Sequence, residues 1–186
     1  MQSLGRKVAG VIMKEQNKPQ LAGRKIIAAA VAAWFIYLSV DFLIHAVILA
    51  TWWKKTADYW LSPEDLFRLI PIGYASFAIY CGALTWLFVR IFGDRRTIGT
   101  AFRFGAIAGL IYGVGTILAN YAVFAMPSSL LLVWPGSILI ESTLACATAS
   151  WVLDAERSWR RVGLVFGATV LIFIISVVLQ NLLFPT

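Results

Sequence analysis

Five long apolar segments constrain this sequence more than any other feature, and they lie at about residues 26–53, 69–92, 101–126, 129–153 and 162–184. Each reaches the roughly 20 residues that an α-helix needs to cross the hydrocarbon of a bilayer. Strands of a membrane barrel are only about 10 residues long and alternate in polarity, which these segments do not. The sequence therefore predicts an all-α membrane protein, built as a bundle of five transmembrane helices.

Composition argues against a soluble protein. Of the 186 residues, 60% are hydrophobic and 13% are charged, and the mean hydropathy is +0.81. A soluble domain of this composition would have too few polar residues to cover its surface. Little chain remains between the apolar segments, so we predict one transmembrane domain over residues 26–186, preceded by a basic arm over residues 1–25.

Basic residues flank the predicted spans unevenly. Thirteen of the 16 lie in the arm, between spans two and three, or between spans four and five, and the opposite side holds only Lys54, Lys55 and Arg68. Loops rich in Lys and Arg stay on the cytoplasmic side of a membrane. The distribution predicts a cytoplasmic amino terminus and a carboxyl terminus on the outer side.

The basic residues are expected to contact anionic lipid head groups. In the arm, apolar residues recur at helical spacing beside basic ones, which predicts a short amphipathic helix on the cytoplasmic membrane surface. The net charge of +7 does not indicate nucleic acid, because the basic residues are spread over three membrane-flanking segments. The predicted head-group contacts are Arg6, Lys7, Lys14, Arg95, Arg96, Arg160 and Arg161.

Four polar residues lie inside the apolar spans. Asp41 and His45 are four residues apart, so they share one helix face, in the outer half of span one. Glu141 lies about 12 residues into span four, and Asn120 lies near the outer end of span three. A charge in mid-membrane costs at least about 2.5–3.5 kcal/mol, so such groups usually face the bundle interior and find partners. We predict that the four meet at one level.

Two interpretations of this cluster stay open at the level of sequence. It is either a hydrogen-bonded group that fixes how spans one, three and four pack, or a site where Asp41, His45 and Glu141 bind a proton, a cation or a small ligand. A haem or chlorophyll on His45 is a third option, but a lone histidine excludes bis-histidine haem. We predict no cofactor.

Cysteine and histidine usage gives little support for a metal site. Cys81 and Cys146 each lie in an apolar span with no second cysteine nearby in sequence, and the chain has one histidine. A zinc or iron-sulfur centre would have few ligands to draw on. The sequence predicts two buried, reduced thiols and no metal.

Two further patterns predict helix packing and helix ends. Gly105, Gly109 and Gly113 form a doubled G-x-x-x-G stripe, which lets a helix of this chain or of another chain approach closely.

In "WLSPEDLFRLIP", Ser62 is a capping residue before Pro63 at the first helical position. Pro71 is expected to kink that helix. Arg68 is expected to pair with Glu64 or Asp41. The aromatic residues expected at the outer membrane–water interface are Trp52, Trp53, Tyr59, Trp60 and Trp134.

Four stretches resemble a group of short bacterial multi-span integral membrane proteins: "DFLIH", "TADYWLSPEDL", "FRFGAIAGLIYGV" and "YAVFAMPSSLLLVW". The resemblance covers roughly residues 37–153 and includes the D-x-x-x-H pattern of the first span. It implies a bacterial inner membrane and no particular activity.

No nucleophile with its base, phosphate-binding loop or metal motif appears in the sequence. We therefore predict a non-enzymatic integral membrane protein that serves as an accessory or structural subunit of a larger inner-membrane complex, with other membrane subunits as partners. The alternative is a small carrier or sensor that binds a proton, cation or small ligand at the polar cluster.

Overall fold

The computed structural model describes residues 23–55, 61–123 and 128–184, and these ranges are helical with no strand. A π-helical turn, Ile44–Ile48, continues the first helix, and a short 3-10 turn, Gly93–Arg95, follows the third. The α-helices are α1 (Gly23–Leu43), α2 (Ala50–Lys55), α3 (Pro63–Phe92), α4 (Ile98–Val123), α5 (Ser128–Leu153) and α6 (Ser158–Leu183). The all-α prediction is confirmed.

Five helical segments are long and apolar enough to cross a membrane, as the sequence predicted. They are Gly23–Ile48, Glu64–Arg95, Ile98–Ala122, Leu132–Leu153 and Ser158–Leu183. The chain is therefore a multi-pass integral membrane protein. The predicted surface helix of the arm, including Arg6, Lys7 and Lys14, and the belt residues Tyr59 and Trp60 lie outside the described residues.

Helix α3, which contains most of the second span, begins at Pro63, six residues before the apolar segment that predicts it. The Ser62 hydroxyl accepts a hydrogen bond from the Asp65 backbone N–H at 3.1 Å and donates one to Asp65 Oδ2 at 2.7 Å. The cap therefore forms as predicted, and it adds a polar first turn to the apolar helix. Arg68 pairs with Glu64 at 2.7 Å on an exposed surface. The helix continues through Pro71, and a kink there stays a prediction.

Helix α1 is the central element of the bundle, because it packs against α3, α5 and α6. Its inward surface is built from alanines, and Ala28, Ala29, Ala32 and Ala33 are all fully buried. Such small side chains let neighbouring backbones come close, which is how helices gain packing contacts in a membrane. Helix α4 packs chiefly on α5 and adds Ala101 to the buried core.

Hydrogen bonds between helices support this arrangement. The Trp34 indole donates to the Tyr74 carbonyl at 3.0 Å, which joins α1 to α3. The Thr169 hydroxyl donates to the Phe35 carbonyl at 3.1 Å, which joins α6 to α1. These side chains have found partners on neighbouring helices, as groups removed from water usually do.

The glycine stripe is used inside the bundle, against α5. A Cβ atom on Gly105 would lie 2.5 Å from the Ser142 carbonyl oxygen, and one on Gly109 would lie 2.9 Å from the Ile138 carbonyl oxygen. A Cβ atom on Gly113 would lie 2.8 Å from the Cα of Pro135. Only glycine permits this approach, so the stripe fixes α4 against the part of α5 that carries Glu141.

Candidate functional site

A cavity of about 170 Å³ lies where α1, the π-helical turn, α4 and α5 meet, with Phe77 contributed by α3. All four polar residues singled out from the sequence line it. We call it the polar cavity, and its polar lining comprises Tyr37, Asp41, His45, Tyr112, Thr116, Asn120, Trp134, Ser137 and Glu141. None of its described lining residues is Lys or Arg.

Asp41 and His45 form the more accessible side of the polar cavity. His45 Nε2 lies 3.5 Å from Asp41 Oδ1, and the two side chains are 23% and 22% exposed. This separation is longer than the 2.7–3.2 Å that is usual for an N–H···O hydrogen bond. The two side chains therefore lie side by side at the cavity but do not form a tight hydrogen bond.

The backbone around His45 departs from the α-helix. Leu49 N–H bonds the Ile44 carbonyl at 2.8 Å, a five-residue spacing that defines the π-helical turn Ile44–Ile48. Single π-helical turns inside α-helices occur frequently at functional sites. The His45 ring lies 5.2 Å from the Trp53 ring, and Trp53 in turn lies 6.4 Å from Trp134. The π-helical turn thus places the imidazole at the polar cavity with one side against the Trp53 ring.

Glu141 forms the deep side of the polar cavity. Its residue exposure is 1%, and its Oε1 has no hydrogen-bond partner among the described residues. Its carboxyl group interacts with the Tyr37 hydroxyl and with the charge of Asp41. Buried carboxyl oxygens without a partner are uncommon and call for an explanation.

The three ionisable groups converge on one point. One candidate ligand atom each from Asp41, His45 and Glu141 lies within 4.8 Å of the other two. Two carboxyl groups and one imidazole are suited to bind a cation or to exchange protons. Asn120 also lines the cavity, where it is half-buried.

Sequence reasoning missed several lining residues that a simple pattern would have found. Each recognised polar residue has a second polar residue four positions before it: Tyr37 precedes Asp41, Thr116 precedes Asn120, and Ser137 precedes Glu141. Residues four apart lie on the same helix face. The polar cavity is therefore lined by polar pairs on three helices.

The other predicted residues lie elsewhere. Cys81 and Cys146 are buried and free, as predicted. The end of the bundle opposite the polar cavity carries Arg95 and Arg96, between α3 and α4, and Arg160 and Arg161, in the first turn of α6. Arg96 is half-buried, and its Nε and Nη1 have no partner within the described ranges.

Arg161 is the basic residue whose contacts are best defined. Its guanidinium group donates a hydrogen bond to the Trp151 carbonyl and lies 4.7 Å from the centre of the Trp151 ring. A cation over an aromatic face gains electrostatic stabilisation. The contact fixes one basic side chain at this end of α6, beside the short turn from α5.

No protein-family model, curated protein or solved structure matches this chain.

Proposed function

We propose that this protein is a small, non-enzymatic carrier or sensor of the bacterial inner membrane that binds a cation or a small polar ligand in the polar cavity. One observation carries the proposal: Glu141 is buried at a cavity with an oxygen that no described residue satisfies. Asp41 and His45 face it from the first span. A bound ligand would supply the missing partner.

The contrast with the other polar contacts favours binding over packing. Two polar contacts that join helices are satisfied: the Tyr80 and Ser142 hydroxyls share a 2.9 Å bond, and Trp34 donates a 3.0 Å bond to the Tyr74 carbonyl. The Ser150 hydroxyl is also buried without a partner among the described residues, but it does not line the polar cavity. If Glu141 served to hold helices together, both of its carboxyl oxygens would be expected to have hydrogen-bond partners, because a buried polar group with only some of its partners destabilises the fold. Unsatisfied and strained groups are instead concentrated at functional sites.

The charge distribution supports an outward-facing site. Thirteen of the 16 basic residues lie in the arm or in and near the α3–α4 and α5–α6 turns, which are at the opposite end of the bundle from the polar cavity. By the positive-inside rule those turns are cytoplasmic, which would place the cavity in the outer half of the membrane. Asp41 and His45, with about a fifth of each side chain exposed, would then be the groups that a ligand meets first.

A pair of neighbouring substitutions tests the binding role. Glu141→Gln is expected to leave the melting temperature in detergent unchanged or raise it, because it removes a buried, unsatisfied carboxyl group whose presence serves binding. Ser142→Ala is the matched control, since it removes the bond to Tyr80 and is expected to destabilise by about 0.6 kcal/mol, the mean for such bonds in a membrane. The measurement is thermal unfolding of the purified full chain.

The same preparations test binding through stabilisation by added solutes. Saturating ligand raises the unfolding free energy of the wild type by about 2.7 kcal/mol at one hundred times its dissociation constant. With chlorides of Na⁺, K⁺, Mg²⁺, Ca²⁺, Mn²⁺ and Zn²⁺ as probes, we expect at least one to stabilise the wild type and none to stabilise Glu141→Gln. Loss of folded Glu141→Gln, at a level beyond that of Ser142→Ala, would support the packing role instead.

An accessory-subunit role is the second candidate, and the position of α4 favours it. This helix packs chiefly on α5, and Ile107, Ile111, Leu118 and Tyr121 on its other surfaces are exposed. A neighbouring subunit would cover them as readily as lipid. We expect such a subunit to co-purify in mild detergent and to be lost on Ile111→Arg; recovery of the 20.6 kDa chain alone would argue against this role.

A further inference from the structure

We propose that the polar cavity binds one divalent transition-metal ion, of the Zn²⁺ and Mn²⁺ class, through Asp41, His45 and Glu141. This inference rests on the proposed binding function and names its ligand. It departs from the prediction of no metal, which considered only zinc and iron-sulfur centres built on cysteine and histidine.

The positions of the three donor groups fit such an ion. Metal bonds to histidine nitrogen and carboxylate oxygen are about 2.0–2.2 Å long, so neighbouring donor atoms around one ion lie roughly 3.0–3.5 Å apart. His45 Nε2 and Asp41 Oδ1 are 3.5 Å apart, and all three donors lie within 4.8 Å of one another. A rotation of the Glu141 side chain that brings its carboxylate oxygen roughly an ångström closer to the other two donors would complete the site.

Charge balance selects a divalent ion over a monovalent one. Two carboxylates and a neutral imidazole carry a charge of −2, and none of the described residues that line the cavity is Lys or Arg. With both carboxyl groups ionised, a divalent cation makes the group neutral, whereas Na⁺ or K⁺ would need one carboxyl group to keep its proton and so to be lost as a full-strength ligand. Uncompensated charge within a membrane is costly. A bound divalent ion is often the largest charge in its site, so the charges of the surrounding groups have to be counted together with it.

Donor chemistry narrows the choice among divalent ions. Imidazole favours transition metals, whereas Mg²⁺ and Ca²⁺ prefer sites made wholly of oxygen. One nitrogen and two carboxylate oxygens therefore suit Zn²⁺, Fe²⁺ or Mn²⁺. Three protein ligands also leave coordination positions for water, and a cavity of about 170 Å³ has room for several waters at about 30 Å³ each. An open coordination sphere permits release of the ion, as a carrier or sensor requires.

Neighbouring side chains contact two of the three donor residues, as the residues around known metal ligands do. The Tyr37 hydroxyl interacts with the Glu141 carboxyl group, and the Trp53 ring packs against His45. Groups in these positions orient the ligands before the ion arrives.

The single histidine gives the experiment a direct readout. Full-length protein without an affinity tag, in detergent and with ¹⁵N-labelled histidine, has imidazole signals from His45 alone. Titration with ZnCl₂ is expected to shift one ring-nitrogen signal, and equilibrium dialysis with elemental analysis is expected to give one Zn²⁺ per chain. Asp41→Asn and Glu141→Gln are each expected to weaken Zn²⁺ binding by at least about 100-fold. Replacing a residue that only hydrogen-bonds a metal ligand already weakens binding by up to about 100-fold. Glu64→Gln, which alters an exposed carboxylate paired with Arg68, is the matched control and is expected to bind like the wild type.

Four outcomes decide the fate of this inference and of the proposed function. An unshifted His45 signal, with neither Zn²⁺ nor Mn²⁺ retained, overturns the metal site, and so does binding that survives both Asp41→Asn and Glu141→Gln. If a different probe stabilises the wild type and not Glu141→Gln, the binding function stands while the metal inference fails. If Glu141→Gln fails to fold, the wild-type His45 signal still decides whether the metal binds at this position.

Discussion

Gly109→Ala is expected to destabilise the bundle by about 1–3 kcal/mol, the usual range for forcing extra atoms into a packed interior. The added Cβ would lie 2.9 Å from both the Ile138 carbonyl oxygen and the Leu139 Cα. These are backbone atoms, so α4 and α5 have to separate to admit the methyl group. Because Glu141 lies on the same stretch of α5, ligand binding in the polar cavity is expected to weaken as well.

Gly115→Ala is the matched control for this prediction, since it makes the same chemical change on the same helix. A Cβ at Gly115 meets nothing within 4 Å, so the substitution is expected to be neutral or to stabilise by up to about 1 kcal/mol through higher helix propensity. Thermal unfolding in detergent measures both variants. Equal effects at the two positions would mean that α4 does not pack on α5 through the stripe.

Ala29→Leu is expected to produce the other large loss of stability, at or above about 3 kcal/mol. Ala29 has no exposed surface and lies in the alanine-rich surface through which α1 contacts its neighbours. A leucine there adds three carbon atoms where packing leaves no space, and overpacking of this size forces helices apart. Since α1 contacts α3, α5 and α6, the disturbance reaches most of the bundle.

The control for Ala29→Leu is Ala75→Leu, on the exposed surface of α3. An added leucine at that position would contact lipid, so little change in stability is expected. The yield of monodisperse protein in size-exclusion chromatography and the melting temperature together measure the effect. A tolerated Ala29→Leu would indicate that α1 is not the central helix.

Several features of the fold follow from local sequence and were predicted correctly. The count of five spans depends on segment length and hydrophobicity, which each segment carries by itself. The cap at Ser62 depends on residues no more than three positions apart, so it too is a local property. The same is true of Asp41 and His45, whose spacing of four residues places them on one face before any neighbouring helix is known.

The assembly of the site is not a local property. Glu141 reaches Asp41 only because α5 packs directly on α1 and enters the bundle from the same end at which α1 finishes. Apolar helices of similar composition give no indication of which pairs will be in contact, since lipid is as favourable a neighbour for an apolar side chain as another helix is. The unsatisfied Glu141 oxygen, on which the proposed function depends, is visible only after that packing is known.

The sequence by itself determined that the chain crosses a membrane five times as helices, because a bilayer demands internal hydrogen bonding and a fixed length of each span. It also determined which polar residues enter the membrane and which pairs share a helix face. The tertiary structure alone decided that the glycine stripe contacts α5 within the same chain and that α1 is central. It also decided that the polar residues of three helices line one cavity. The physical reason is that apolar helices are equivalent partners until their surfaces are compared. Close packing of small residues selects one pair, and it depends on the shapes of both helix surfaces.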